Sequence, residues 1–124
     1  VTAVPLSKRK LASRGFNQSE LIGRAYASYT GKTYMAGVLT KTKENQTQSA
    51  LRDAKRRVEN VKDCYEVRDP SLVRGKRILL VDDVYTTGAT IRECARVLRR
   101  AGAETVCGLT AATAHGQNTK IYKK

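Results

Sequence analysis

Nine consecutive residues, Asp82 to Thr90 (DDVYTTGAT), hold the side chains best suited to chemistry. Asp82 and Asp83 are adjacent carboxylates that close an apolar run, and acids in that position can accept hydrogen bonds from sugar hydroxyls or help hold a hydrated Mg²⁺. Thr86, Thr87 and Thr90 add hydroxyls, while Gly88 and Ala89 leave backbone amides uncovered. If a helix opens there, its unpaired N–H groups and positive dipole end form a cradle for a monophosphate. The two sub-sites together describe a phosphorylated sugar. A plainer reading stands beside it: a strand ending in Asp that caps the next helix, with ordinary N-terminal threonines. There is no GxxxxGK[ST] and no GxGxxG after a strand, which disfavours a nucleoside triphosphatase or a dinucleotide enzyme.

Such a site needs an open α/β sheet, whose ligands bind at strand ends. The pattern around the motif predicts one. TAVPL (residues 2–6) reads as a short buried strand stopped by Pro5, and Ser7 to Phe16 as a basic loop made flexible by Gly15. Asn17 stands three residues before Glu20, a capping-box spacing. Leu21, Ile22, Ala25, Tyr26 and Tyr29 then mark the apolar face of a helix ended by Thr30 and Gly31. Val38 to Thr40 predicts a strand and Lys41 to Thr47 a mobile polar loop. From Ser49, Leu51, Ala54, Val58 and Val61 form a helical stripe with Arg52, Lys55, Arg56 and Glu59 on another face. Cys64 to Val67 predicts a short strand, Asp69, Pro70 and Gly75 a turn, and Arg77 to Val81 the strand that carries the acids. Ile91, Cys94, Ala95 and Leu98 give helical spacing before Gly102, and Thr105 to Thr110 a last strand. Strands alternating with helices indicate an α/β fold with a mostly parallel sheet flanked by helices on both faces.

At 124 residues the chain has room for one ordinary domain, 1–124. Its longest purely aliphatic run, Ile78 to Val81, is too short to cross a membrane. Val1 is not Met and no signal-peptide pattern opens the chain, so it reads as the C-terminal part of a longer cytoplasmic protein. Cys64, Cys94 and Cys107 form no CxxC or Cys/His cluster, so neither a disulfide framework nor a zinc site follows. Cys94 and Cys107 fall on predicted apolar faces as core thiols, His115 reads as a surface histidine, and Lys120 to Lys124 as a frayed tail. Twenty-four Lys and Arg against 11 Asp and Glu give +13, a surface that attracts polyanions. Residues 1–62 hold +9 of this charge and residues 63–124 hold +4.

Ile78 to Thr90 (ILLVDDVYTTGAT) resembles the phosphoribosyl pyrophosphate (PRPP) signature of type I phosphoribosyltransferases, with Tyr85 where a smaller aliphatic residue is usual. Val4 to Gln18 (VPLSKRKLASRGFNQ), the loop Lys41 to Gln48, Arg56 to Val61 (RRVENV) and the AGAETVCGLT segment narrow the resemblance to the ComF-like, competence-associated branch. Together these segments cover nearly the whole chain. Ser7 stands where that branch often has His, and Lys10 and Lys41 where Arg is usual, so a bidentate anion contact would become a point-charge contact. The branch's cysteine-rich N-terminal segment is not among these residues. Little sequence lies outside the sheet to build the hood with which base-salvaging members grip an acceptor.

The resemblance implies Mg²⁺-dependent transfer of a phosphoribosyl group with loss of pyrophosphate through an oxocarbenium-like transition state. Asp82 and Asp83 would meet the ribose hydroxyls, and Thr86, Thr87, Gly88, Ala89 and Thr90 would hold the 5′-phosphate. Arg14 would serve the pyrophosphate side together with Ser7, Lys8, Arg9 and Lys10, because these residues follow the end of the first strand. Lys41 and Lys43 would close over it from their loop. Each of these basic residues also has a plain reading as a solvated loop charge. A second class of function is open: a non-catalytic DNA-uptake accessory that binds single-stranded DNA or a helicase partner. The +13 charge and the Arg52, Lys55, Arg56 face favour it, while the scattered aromatics, one Phe and six Tyr without Trp, speak against base stacking. A homodimer is compatible with either.

Overall fold

The structure, a computed structural model, describes residues 1–43 and 61–114 and the backbone of 122–123. In chain order its elements are β1 (Thr2–Ala3), α1 (Lys8–Arg14), α2 (Gln18–Thr30), β2 (Leu39–Lys41) and β3 (Tyr65–Val67). A 3-10 turn (Pro70–Leu72), β4 (Arg77–Tyr85), α3 (Ala89–Arg100), β5 (Thr105–Thr113) and β6 (Tyr122–Lys123) complete the series. The predicted Ser49 helix with Arg52, Lys55 and Arg56, most of the predicted loop after Lys43, and His115 lie outside the described residues.

The main sheet has the order β1-β4-β5-β6. β1 and β5 both run parallel to β4, with Thr2 beside Leu80 and Ile78 beside Val106, and β6 closes the edge antiparallel to β5. Tyr122–Lys123 is therefore a strand at a sheet edge rather than part of a frayed tail. β2 and β3 pair antiparallel as a separate ribbon. The fold is mixed α/β, a parallel three-stranded centre flanked by helices, as the alternation of strands and helices predicts.

Side chains alternate across a strand, so Ile78 and Leu80 share one face of β4 and Val81 takes the other. α3 covers the first face. Leu80, Cys94 and Leu98 are fully buried there, together with Val38, Val61, Val73 and Val106. Each such aliphatic side chain contributes roughly 1.5–3 kcal/mol by leaving water. α3 packs closely because β5 offers Gly108, where a Cβ would meet Ile91 Cδ1 at 2.7 Å. α2 packs on β1 and β4, where Ala3, Val81 and Ala27 are buried apart from the main cluster.

Several local expectations change. The stretch expected as a basic loop is helix α1. Ser7 caps its start, its Oγ accepting from Lys10 N–H at 3.2 Å, and Gly15 ends it in the left-handed region at φ 84 with its N–H on Leu11 O. Gly15 is thus a cap and not a flexible joint. On α2 the buried face is Ser19, Gly23 and Ala27, while Leu21 is 56% and Tyr29 94% exposed. Small residues every four positions let α2 approach closely: a Cβ on Gly23 would meet Tyr34 Cε2 at 2.9 Å. Asn17 caps α2 through Ser19 N–H at 3.0 Å, but Glu20 pairs with Arg24 at 2.9 Å instead of returning to the cap. Finally, β4 and β5 run past Val81 and Thr110, because backbone pairing continues to Tyr85 and Thr113 whatever the side chains. Cys94 is a core thiol, whereas Cys107 is only half-buried.

Candidate functional site

β4 presents Asp82 and Asp83 within its paired length, Asp82 opposite the buried Thr110 of β5. Asp82 Oδ1 accepts from Ser19 Oγ at 3.2 Å and from Asp83 N–H at 2.9 Å, and Asp83 Oδ1 accepts from Val84 N–H at 2.8 Å. Burial and then the neighbouring Asp83 charge push the Asp82 carboxyl up to about 7, against which the Ser19 and backbone hydrogen bonds act. A carboxyl held this way is poised to ionise when a cation or a donor-rich ligand arrives.

The turn after β4 bends at Gly88, the N-cap of α3, at φ 80. Glycine suits this position for its backbone conformation and its surroundings, since a Cβ would stand 2.6 Å from Tyr85 Oη. The Tyr85 ring folds back over the turn, and its hydroxyl accepts from Arg92 Nη2 at 3.2 Å. A glycine N-cap has no side chain to give. Ala89 N–H reaches Thr87 Oγ1 at 3.3 Å, and no cap side chain bonds the first turn of α3. That helix end keeps donors and a positive dipole end facing out of the turn.

Behind the turn stands Tyr65, 6% exposed, its hydroxyl hydrogen-bonded to Thr90. Burial drives the Tyr65 hydroxyl far above its ordinary value, so it stays protonated and neutral. Lys41 Nζ lies 5.7 Å from the centre of the Tyr65 ring, within cation–π reach. A single cluster thus contains Ser19, Lys41, Tyr65, Asp82, Asp83 and Thr90 from five elements.

The structure brings together only part of the predicted set. Asp82, Asp83, Thr86, Thr87, Gly88, Ala89 and Thr90 are contiguous on β4, the turn and α3. Lys41 joins them, but as the last residue of strand β2 rather than on a loop; Lys43 follows it, exposed. Ser7 is a buried helix cap. Lys8, Arg9, Lys10 and Arg14 lie on the solvent-facing α1, and among the described residues no hydrogen bond or ion pair joins them to Asp82 or Asp83. α1 does start from the same sheet edge: Val4 N–H donates to Val81 O at 2.9 Å, and Asn17 Nδ2 donates to Val4 O at 3.0 Å. Sequence reasoning missed Ser19 and Tyr65. Ser19 was visible as the first of the small residues at four-residue spacing, while nothing local marks Tyr65, which reaches Thr90 only through the β2–β3 ribbon.

Among the described residues, no three or more His, Cys, Asp or Glu side chains gather as a metal site, no disulfide forms, and no helix is long and apolar enough to cross a membrane.

Adjacent acids on a central parallel strand, followed by a glycine turn into a helix N-terminus, define an α/β domain of the phosphoribosyltransferase class. The family model described as "Phosphoribosyl transferase domain" matches residues 25–124. The chain belongs to this family, on its ComF-like branch. It is 36% identical over 106 residues to the "DNA utilization protein YhgH" of Escherichia coli strain K12, covering 86% of this chain and 45% of that protein. It is 30% identical over 107 residues to "Competence protein F" of Haemophilus influenzae, covering 86% and 46%. To "Competence protein ComFC" of Streptococcus pneumoniae it is 35% identical over 108 residues, covering 83% and 43%. The chain therefore spans slightly less than half the length of these relatives. No solved structure matches it.

Proposed function

We propose that this domain binds PRPP, or a related ribose 5-phosphate, and transfers the phosphoribosyl group to a nucleophile with release of pyrophosphate. One observation carries the reading: paired carboxylates on β4 stand directly before the left-handed Gly88 turn and the uncapped N-terminus of α3. The amides of the α3 first turn and the hydroxyls of Thr86 and Thr87 receive the 5′-phosphate. Asp82 and Asp83 accept hydrogen bonds from the ribose hydroxyls and hold negative charge near the ring as C1 becomes cationic. Ser19 fixes the Asp82 carboxylate, and Tyr65 orients Thr90.

Mg²⁺ fits as a partner of the ligand. Two carboxylates, one of them pushed up to about 7 by burial and its neighbour's charge, favour an added cation, but the described residues form no cage for an ion without phosphate oxygens. When bound, Mg²⁺ would neutralise the pyrophosphate leaving group, and Asp82 and Asp83 are the residues that would help hold it. The bond from C1 to the pyrophosphate oxygen breaks, and the bond from C1 to the nucleophile forms on the opposite face. Lys41, and Arg14 with Lys8, Arg9 and Lys10 on α1, are the cations available to the departing pyrophosphate. Relatives named for DNA utilization and competence suggest that such a domain works in the handling of DNA.

The test is calorimetric titration of PRPP with and without Mg²⁺ on the wild type and on Asp83→Asn at two salt concentrations. Saturable, Mg²⁺-dependent binding that is lost in the variant supports the reading. Absence of binding, or binding indifferent to Asp83 and erased by salt, refutes it.

A further inference from the structure

Tyr85 and Arg92 meet against the Gly88 turn in an arrangement that the backbone cradle does not require. The Tyr85 backbone is pinned to the end of β5, its carbonyl accepting from Ala114 N–H at 2.9 Å. Its ring rests beside Leu80, Ile91 and Ala95 on the α3 side of the core, and this packing decides where the hydroxyl stands. It stands at Gly88, where a Cβ would lie 2.6 Å from Oη and 2.8 Å from Cζ. Arg92 closes the first turn of α3, its N–H on Gly88 O at 2.9 Å, and its side chain reaches back so that Nη2 donates to Tyr85 Oη at 3.2 Å. Helical side chains lean toward the N-terminus, so this direction is open to it. The place is electrostatically poor in the free protein. A cation in a first turn faces the positive end of the dipole, and α3 has no acidic residue there to offset it. The neighbouring Glu93 is buried and paired with Arg96, and among the described residues Arg92 forms no ion pair. A charge tied to an unfavourable place by a hydroxyl that packing holds is accounted for once an anion occupies the turn.

We propose that Tyr85 and Arg92 are positioning residues for the 5′-phosphate: the Tyr85 hydroxyl holds the Arg92 guanidinium against the first turn of α3, where its charge adds to the backbone donors that face the phosphate. This role rests on the ribose-phosphate reading of the cradle and adds to it a cation that lies outside the run from Thr86 to Thr90. Tyr85 acts through Arg92 and not by contact with the ligand. One fixed guanidinium beside converging amides suits a single compact dianion, a phosphomonoester. Bound phosphate reverses the sign of the field around Arg92, so a residue that weakens the free fold strengthens the complex. Because Arg92 is exposed, salt screens its contribution.

The test is calorimetric titration of ribose 5-phosphate with Mg²⁺ on the wild type, Arg92→Gln, Tyr85→Phe and the double variant, with a thermal melt of each without ligand. Arg92→Gln is expected to bind about fivefold more weakly, the scale of one exposed charge at a helix end, while melting no lower than the wild type. Raising NaCl should narrow that gap. Tyr85→Phe keeps the ring and its packing and should lose a smaller factor, and in the Arg92→Gln background it should lose nothing further. Lys32→Gln removes the same charge just past the end of α2 farthest from Ser19 and should bind as the wild type does. If the wild type does not bind ribose 5-phosphate, the ribose-phosphate reading falls and this role falls with it. If the wild type binds and Arg92→Gln binds equally, or Lys32→Gln loses as much, this role alone is overturned. Losses that add in the double variant, or that track a lower melting temperature, would show Tyr85 and Arg92 to be packing residues and overturn it as well.

Discussion

Replacing Asp82 by asparagine should make the protein more stable and less able to bind its ligand. In the fold, burial and the Asp83 charge raise the Asp82 carboxyl from 3.8 to about 7. An acid whose folded value lies above its unfolded one favours folding only while protonated, so its contribution is greatest below the unfolded value and is lost as pH rises through about 7. At about 1.4 kcal/mol per pH unit the separation is worth up to about 4 kcal/mol. Asp82 is half-buried and not sealed from water, so about half of that, roughly 2 kcal/mol, is the working figure. The asparagine carbonyl keeps the acceptor for Ser19 and for Asp83 N–H without the charge. At pH 8, Asp82→Asn should therefore melt about 8 °C higher than wild type, at roughly 4 °C per kcal/mol for a chain of this size. At pH 4 the two should converge, since the wild-type carboxyl is then protonated in the fold. Differential scanning calorimetry across this range reads both, and PRPP titration at pH 8 should show binding lost in the more stable variant. A variant no more stable than wild type at pH 8, or a gain that persists undiminished at pH 4, would refute the reasoning.

Two further substitutions probe the same region. Gly88→Ala forces a side chain into the left-handed region at φ 80 and drives its Cβ to within 2.6 Å of Tyr85 Oη, so urea denaturation should show a loss of about 1–3 kcal/mol. Adding Tyr85→Ala should recover the part due to the clash and leave the part due to the backbone. Ser19→Ala removes a donor that helps keep Asp82 ionised, which should cost about 1 kcal/mol of stability. It should also weaken PRPP binding near neutral pH, with recovery on raising the pH to about 8.5, where the carboxyl ionises without help. A pH-independent defect would mean that Ser19 acts only through packing.

The elements that position the acids were legible in the sequence because they announce themselves locally. The apolar run Ile78 to Val81, the acids, the Gly88 turn and the Ile91, Cys94, Leu98 stripe predict β4, the bend and α3 in order, and the structure places them there. Helix α1 escaped because its basic first turn opposes the helix dipole, so Ser7 and Gly15 read as loop residues when they are its two caps. The face of α2 was misjudged because size, not hydrophobicity, decides it: Ser19, Gly23 and Ala27 let the helix approach the sheet, and Leu21 and Tyr29 are left outside. Strand ends were underestimated at Asp82 to Tyr85 and at Ala111 to Thr113, where ladder hydrogen bonds carry polar and small residues that no apolar pattern marks. Tyr65 was invisible for a different reason. Its place beside Thr90 depends on how the β2–β3 ribbon packs against α3, a long-range contact with no local signature.

The central claim is that Asp82, Asp83 and the turn from Thr86 to Thr90 hold a ribose 5-phosphate. A crystal structure of the chain with PRPP and Mg²⁺ measures this most directly. The account predicts the 5′-phosphate within hydrogen-bond reach of the backbone amides at the start of α3, with the ribose hydroxyls on Asp82 and Asp83. A sugar phosphate bound elsewhere, with these residues unoccupied, would contradict it.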